Sequence, residues 1–162
     1  MPWLPGLTEL LHVIAAIAWL GTALTTELVV FPLADRLPPA ERARALLTHS
    51  LAEKRVIRPA VAAVIVLGIL RGTVWGPIRS LDVFATPYGL TWLFALALTI
   101  GLYLWGRLVI TSGYIALGRL AATEPTDEAL LAAMARIKRV RRQQLVGFVV
   151  ILAAMVAMGF GL

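Results

Sequence analysis

The stretch KRVRRQQLVGFVVILAAMVAMGFG, residues 138–161, places four cations in front of an uncharged apolar run. Such a run, residues 145–161, approaches the ~20 residues a helix needs to cross a hydrocarbon core of ~30 Å. Three further stretches read the same way: residues 10–33, 59–78 and 90–111. The basic run before the last of them is part of a wider asymmetry. Of 15 Lys and Arg residues, 13 fall in the first and third connections or, as Arg107 does, at an adjoining span end. The middle connection and its adjoining span end hold only Arg79 and Arg71. The positive-inside rule therefore predicts that connections one and three are cytoplasmic, with both termini on the opposite side of an inner membrane.

A hydrophobic fraction of 60% and a mean hydropathy of +0.86 exceed the roughly 45–50% apolar content of soluble domains. Four spans in 162 residues leave little chain for anything else, so residues 1–162 read as one membrane domain. A net charge of +6 would suggest nucleic acid in a soluble chain. Here the cations sit at span ends, where orientation and contact with the lipid bilayer already account for them, and no nucleic-acid partner is expected. Without cysteine there are no disulfides, thiolate metal sites or redox thiols. The first apolar stretch lacks a basic leader segment and is longer than a signal-peptide core, so it reads as a retained span.

The fold expected is an all-α integral membrane protein, a four-helix antiparallel bundle. Thr8 is read as the first N-cap, and helix one is expected to end near Phe31-Pro32. Pro38-Pro39 opens a helix on which Glu41, Arg42, Arg44, Glu53, Lys54 and Arg55 alternate with Leu46, Leu47 and Leu51. That pattern predicts a cytoplasmic amphipathic helix lying on the membrane surface, with Pro59 marking the change into span two. Span three continues to a break at Glu124-Pro125, and Thr126-Asp127-Glu128 signals the next helix start.

Ionisable side chains within hydrocarbon need a partner or a function. At 1.5 Å per residue, Glu27 and Arg107 fall at similar depths in the inner half, which predicts an intramembrane ion pair between spans one and three. The alternative is that Arg107 snorkels to the headgroups and Glu27 lies just inside the boundary. His12, Arg71 and Met158 fall in the outer half, with Tyr88 and Trp92 near them. Imidazole and thioether together can ligate copper or haem iron, and an Arg beside them can neutralise a propionate. A lone His near a helix start can equally cap it, and Met158 can simply pack. His49 reads as an exposed polar residue. No nucleotide loop, zinc-binding helix motif or hydrolase elbow is present.

Leu11-His12-Val13 through Ala18-Trp19-Leu20-Gly21 resembles the first-span pattern of the copper resistance protein D (CopD) family. The segment from Leu67 to Gly72 resembles the end of that family's next span, and Phe84 to Gly89 the start of the third. His12 in the first span, with Glu53-Lys54-Arg55 before Pro59-Ala60, is also similar to HemJ-type protoporphyrinogen oxidases. Both families commonly have a Lys early in span three, where this chain has Ala95. The CopD resemblance implies handling of copper or a related redox metal by transport, delivery or resistance rather than catalysis, with His12 as a metal ligand. The HemJ resemblance implies a haem b-binding protein, with His12 axial and Arg71 opposing propionates. A third alternative is a small non-catalytic subunit or assembly factor, either homo-oligomeric or part of a larger membrane complex, packing through Gly21, Thr22 and Thr25.

Overall fold

The computed structural model describes residues 3–123 and 125–160. The break expected at Glu124 and the span end expected at Gly161 lie outside these residues. Four helices account for most of the chain: α1 (Leu4–Ala34), α2 (Pro39–Thr73), α3 (Pro87–Ala121) and α4 (Asp127–Gly159). All four are long and apolar enough to cross a membrane. There is no strand among the described residues. A single 3-10 turn, Leu81–Ala85, lies between α2 and α3. Helix α1 packs chiefly along α2, and α3 along α4.

Their lengths set the shape of the molecule. At 35 residues, α2 extends about 52 Å at 1.5 Å per residue, well beyond the ~30 Å of hydrocarbon. One half of the bundle is apolar, and the other carries most of the cations. Packing changes between the halves. In the apolar half the buried positions include Ala15, Ala23, Ala60, Ala95 and Ala154, while Ile17, Leu28, Val146 and Val149 face outward. That inversion fits lipid, where apolar side chains gain nothing by hiding and small residues let helices approach closely. In the cation-rich half the large residues go inside. Phe31, Leu46, Leu117, Leu130, Met134 and Ile137 form one buried cluster, as the hydrophobic effect requires where water is present.

Several local expectations change. Residues 39–58 do not form a separate surface helix but continue without interruption through Pro59 into α2. Ala43 and Leu46 are fully buried in the core cluster against neighbouring helices, whereas Leu51 is exposed. Thr8 does not cap α1. It lies inside the helix, and its hydroxyl donates to the Leu4 carbonyl at 2.9 Å. Helix α1 also does not stop at Pro32, because Thr26–Val30 widens into a π-turn immediately before it. In a regular helix the Pro32 ring would meet the carbonyl four residues earlier, and the wider turn relieves that clash. A second π-turn, Gly106–Ile110, interrupts α3. Thr126 does cap α4 as expected, accepting from the Ala129 N–H at 3.3 Å.

Candidate functional site

The apolar half holds a partly open cavity of about 330 Å³ whose lining includes His12, Arg71, Tyr88, Trp92 and Met158. These five come from all four helices, yet they meet in one space. Glycines make their approach feasible. A Cβ on Gly68 would stand 3.1 Å from His12 Cε1, and one on Gly72 would overlap the Trp92 indole. Beneath the cavity, Gly147 lets the Leu102 side chain cross α4. Phe84, from the 3-10 turn, lies against Trp92 at 6.3 Å between ring centroids.

His12 is 8% exposed, and its Nδ1 is buried without a hydrogen-bond partner. An orphaned buried ring nitrogen has an uncompensated desolvation penalty, which a ligand could remove. Sequence reasoning missed Met155, which lines the same cavity beside Met158. Its signal was the i, i+3 spacing, which puts both thioethers on one face of α4. Arg71 is not buried as its depth suggested. It pairs with Glu9 at 2.8 Å, with the two side chains 48% and 52% exposed. Glu9 therefore already compensates much of the charge that Arg71 brings to the site. Ala95 also lines the cavity.

A second, polar site occupies the boundary between the two halves. Glu53 and Arg141 form a buried ion pair, their side chains 4% and 5% exposed. Arg141 Nη1 donates to Glu53 Oε2 at 3.0 Å, and Nη2 donates to Oε1. The Thr26 hydroxyl has one proton, directed between Glu53 Oε1 at 3.1 Å and the Thr22 carbonyl at 3.0 Å. It also lies 2.9 Å from His49 Nε2, which donates to it in the Nε2–H tautomer. His49 is thus a half-buried member of a network, not an exposed surface residue.

The expected pair between Glu27 and Arg107 does not form. Arg142 Nε bonds Glu27 instead, at 2.6 Å. The π-turn carrying Glu27 packs against α4, so the nearest cation comes from that helix. Arg107 stands on the rim of a smaller cavity of about 100 Å³, together with Glu53, Arg141, Tyr114 and Gln144. Trp19 lines both cavities. It is locked edge-to-face on Phe148, with centroids 4.7 Å apart and planes at 81°. The two rings thus form a partition between the large and small cavities.

The chain matches no protein-family model, no curated protein and no solved structure.

Proposed function

We propose that the protein is a CopD-like integral membrane protein that handles copper or a related redox metal, with His12 as a ligand. The observation that supports this reading is the buried His12 ring, whose Nδ1 has no hydrogen-bond partner, on the wall of a cavity that two thioethers also line. No three carboxylate or imidazole groups converge on a metal position among the described residues. The donors on hand are one imidazole and two soft thioethers, a set that favours copper(I) over hard divalent ions. In this reading the cation-rich end is cytoplasmic, following the positive-inside rule, and the His12 cavity opens toward the other side of an inner membrane. Transport or delivery suits the site better than turnover, because its lining among the described residues is mostly apolar.

A second reading, a haem b-binding redox protein, draws on the cavity's size. About 330 Å³ is far more than one ion requires, and Arg71 stands on its wall to meet an anionic substituent. Haem supplies electron transfer when bound. The protein's part would be the His12 imidazole, the apolar walls and a guanidinium shared with Glu9. Purification in mild detergent, with elemental analysis and an absorption spectrum, separates the two. Bound copper lost in His12→Ala supports metal handling, and a Soret band lost on the same change supports haem. A preparation that stays colourless and metal-free after reconstitution with either group refutes both.

A further inference from the structure

We infer that the small cavity in the cation-rich half binds a phosphate group, brought either by an anionic lipid headgroup or by a free phosphate ion. Its lining carries four cations (Lys54, Arg58, Arg107 and Arg141) against one carboxylate, Glu53, a net formal charge of +3. Only Arg141 among the four has an acidic partner among the described residues. Glu53 does not compete for the other three, because both its oxygens are already engaged by Arg141 and Thr26. Lys54 is half-buried and Arg58 and Arg107 are exposed, so all three are free to turn toward an anion at the cavity mouth.

The Tyr114 hydroxyl gives an independent sign of the same thing. Tyr114 is 3% exposed, and its Oη is buried with no acceptor for its proton, the nearby Arg141 guanidinium being a donor only. It belongs to the same cavity lining. A buried phenol without an acceptor is costly, and a phosphate oxygen is a strong acceptor. At about 100 Å³ the space also exceeds the ~10–15 Å³ that one water needs by this measure. The donors come from α2, α3 and α4, so a single bound phosphate would tie three helices together. Basic pockets between helices at the cytoplasmic side are a known setting for lipid phosphate groups. A metal cation is disfavoured here by the same net charge. The inference does not rest on the proposed copper site, since none of these groups lines the His12 cavity.

The test uses the full chain in non-ionic detergent. Native mass spectrometry measures binding of phosphatidylglycerol against phosphatidylcholine, and calorimetry measures binding of inorganic phosphate. One phosphatidylglycerol retained in preference to phosphatidylcholine identifies the lipid source, and saturable phosphate binding without lipid preference identifies the free ion. Tyr114→Phe keeps the ring packing and removes one donor, so affinity should fall about tenfold, as for one hydrogen bond to a charged group. Arg107→Gln should weaken binding at least as much. Arg36→Gln and Arg119→Gln, exposed cations of the same half that do not line the cavity, should change affinity less than twofold. If neither probe binds, or if these two controls weaken binding as much as Tyr114→Phe and Arg107→Gln do, the inference is overturned.

Discussion

Replacing Glu53 by Gln removes the charge that holds Arg141 in the interior while leaving the side-chain shape unchanged. Both partners are at most 5% exposed, so the guanidinium cannot reach bulk water without moving α4. Breaking such a buried pair from one side destabilises proteins by about 3–5 kcal/mol, because the remaining charge is left uncompensated. Two features place this case at the lower end, near ~3 kcal/mol on that scale. The adjacent cavity of about 100 Å³ can admit water, and a Gln oxygen can still accept from Arg141 and from Thr26. Even so, ~3 kcal/mol is a large fraction of a typical ~5–15 kcal/mol total. Removing both charges with Glu53→Met and Arg141→Leu should recover most of the loss, since apolar replacements of buried pairs are commonly neutral or better. The assay is reversible unfolding in mixed micelles, followed by far-ultraviolet circular dichroism, with Glu53→Met, Arg141→Leu and their combination run as a double-mutant cycle beside Glu53→Gln. A Glu53→Gln cost below about 1 kcal/mol, in the range of exposed pairs, would refute the burial argument. So would a double variant no more stable than the single.

Gly72→Ala should displace the Trp92 indole, since the added Cβ has no space beside it; a shifted tryptophan emission spectrum together with reduced stability is expected. Gly101→Ala, whose Cβ meets nothing within 4 Å, should leave emission unchanged and stabilise the helix by up to about 1 kcal/mol. Equal behaviour of the two variants would sink the close-approach argument. Thr126→Ala should destabilise α4 by about 1 kcal/mol through loss of the cap on the Ala129 N–H, read as a lower melting temperature that Thr126→Ser restores.

The bundle was legible from apolar run lengths because crossing hydrocarbon fixes a helix length by itself. The group formed by His12, Arg71, Met158, Tyr88 and Trp92 was legible for a related reason. In straight spans, depth follows residue number, and side chains at one depth in a four-helix bundle have few places to go. The Glu27 expectation failed where that logic lacks information, because depth does not give azimuth. Arg107 and Arg142 both lie near the boundary, and only helix packing selects between them. The Glu53–Arg141 pair was hidden by composition, since both residues sit in charge-rich segments that look solvated. Yet Ala43, Leu46, Ser50, Glu53, Ala60 and Val64 fall on one stripe of α2 that is buried. Met134, Ile137, Arg141, Gln144 and Phe148 do the same on α4. A charge in register with an apolar stripe is the sign of burial that charge counting overlooks. Neither π-turn was foreseen, although Pro32 gave a local reason for the first.

Taken together, the two cavities constrain how a metal at His12 could be handled. A cation moving along the bundle axis from that site would first meet the Trp19–Phe148 contact, where Trp19 is buried to 3% exposure. Beyond it lies a lining with a net formal charge of +3, which repels a cation. Both obstacles would have to be removed together, by swinging the indole and by neutralising the cations. A bound phosphate would supply the second but not the first. If His12 binds a metal as proposed, the arrangement favours uptake and return at one face of the bundle over a continuous route through it. That preference makes Trp19→Ala informative. If His12 serves a one-faced site, merging the cavities should loosen ligand retention without creating transport. If the bundle is a conduit with Trp19 as its plug, the same change should raise flux through reconstituted vesicles in a His12-dependent way.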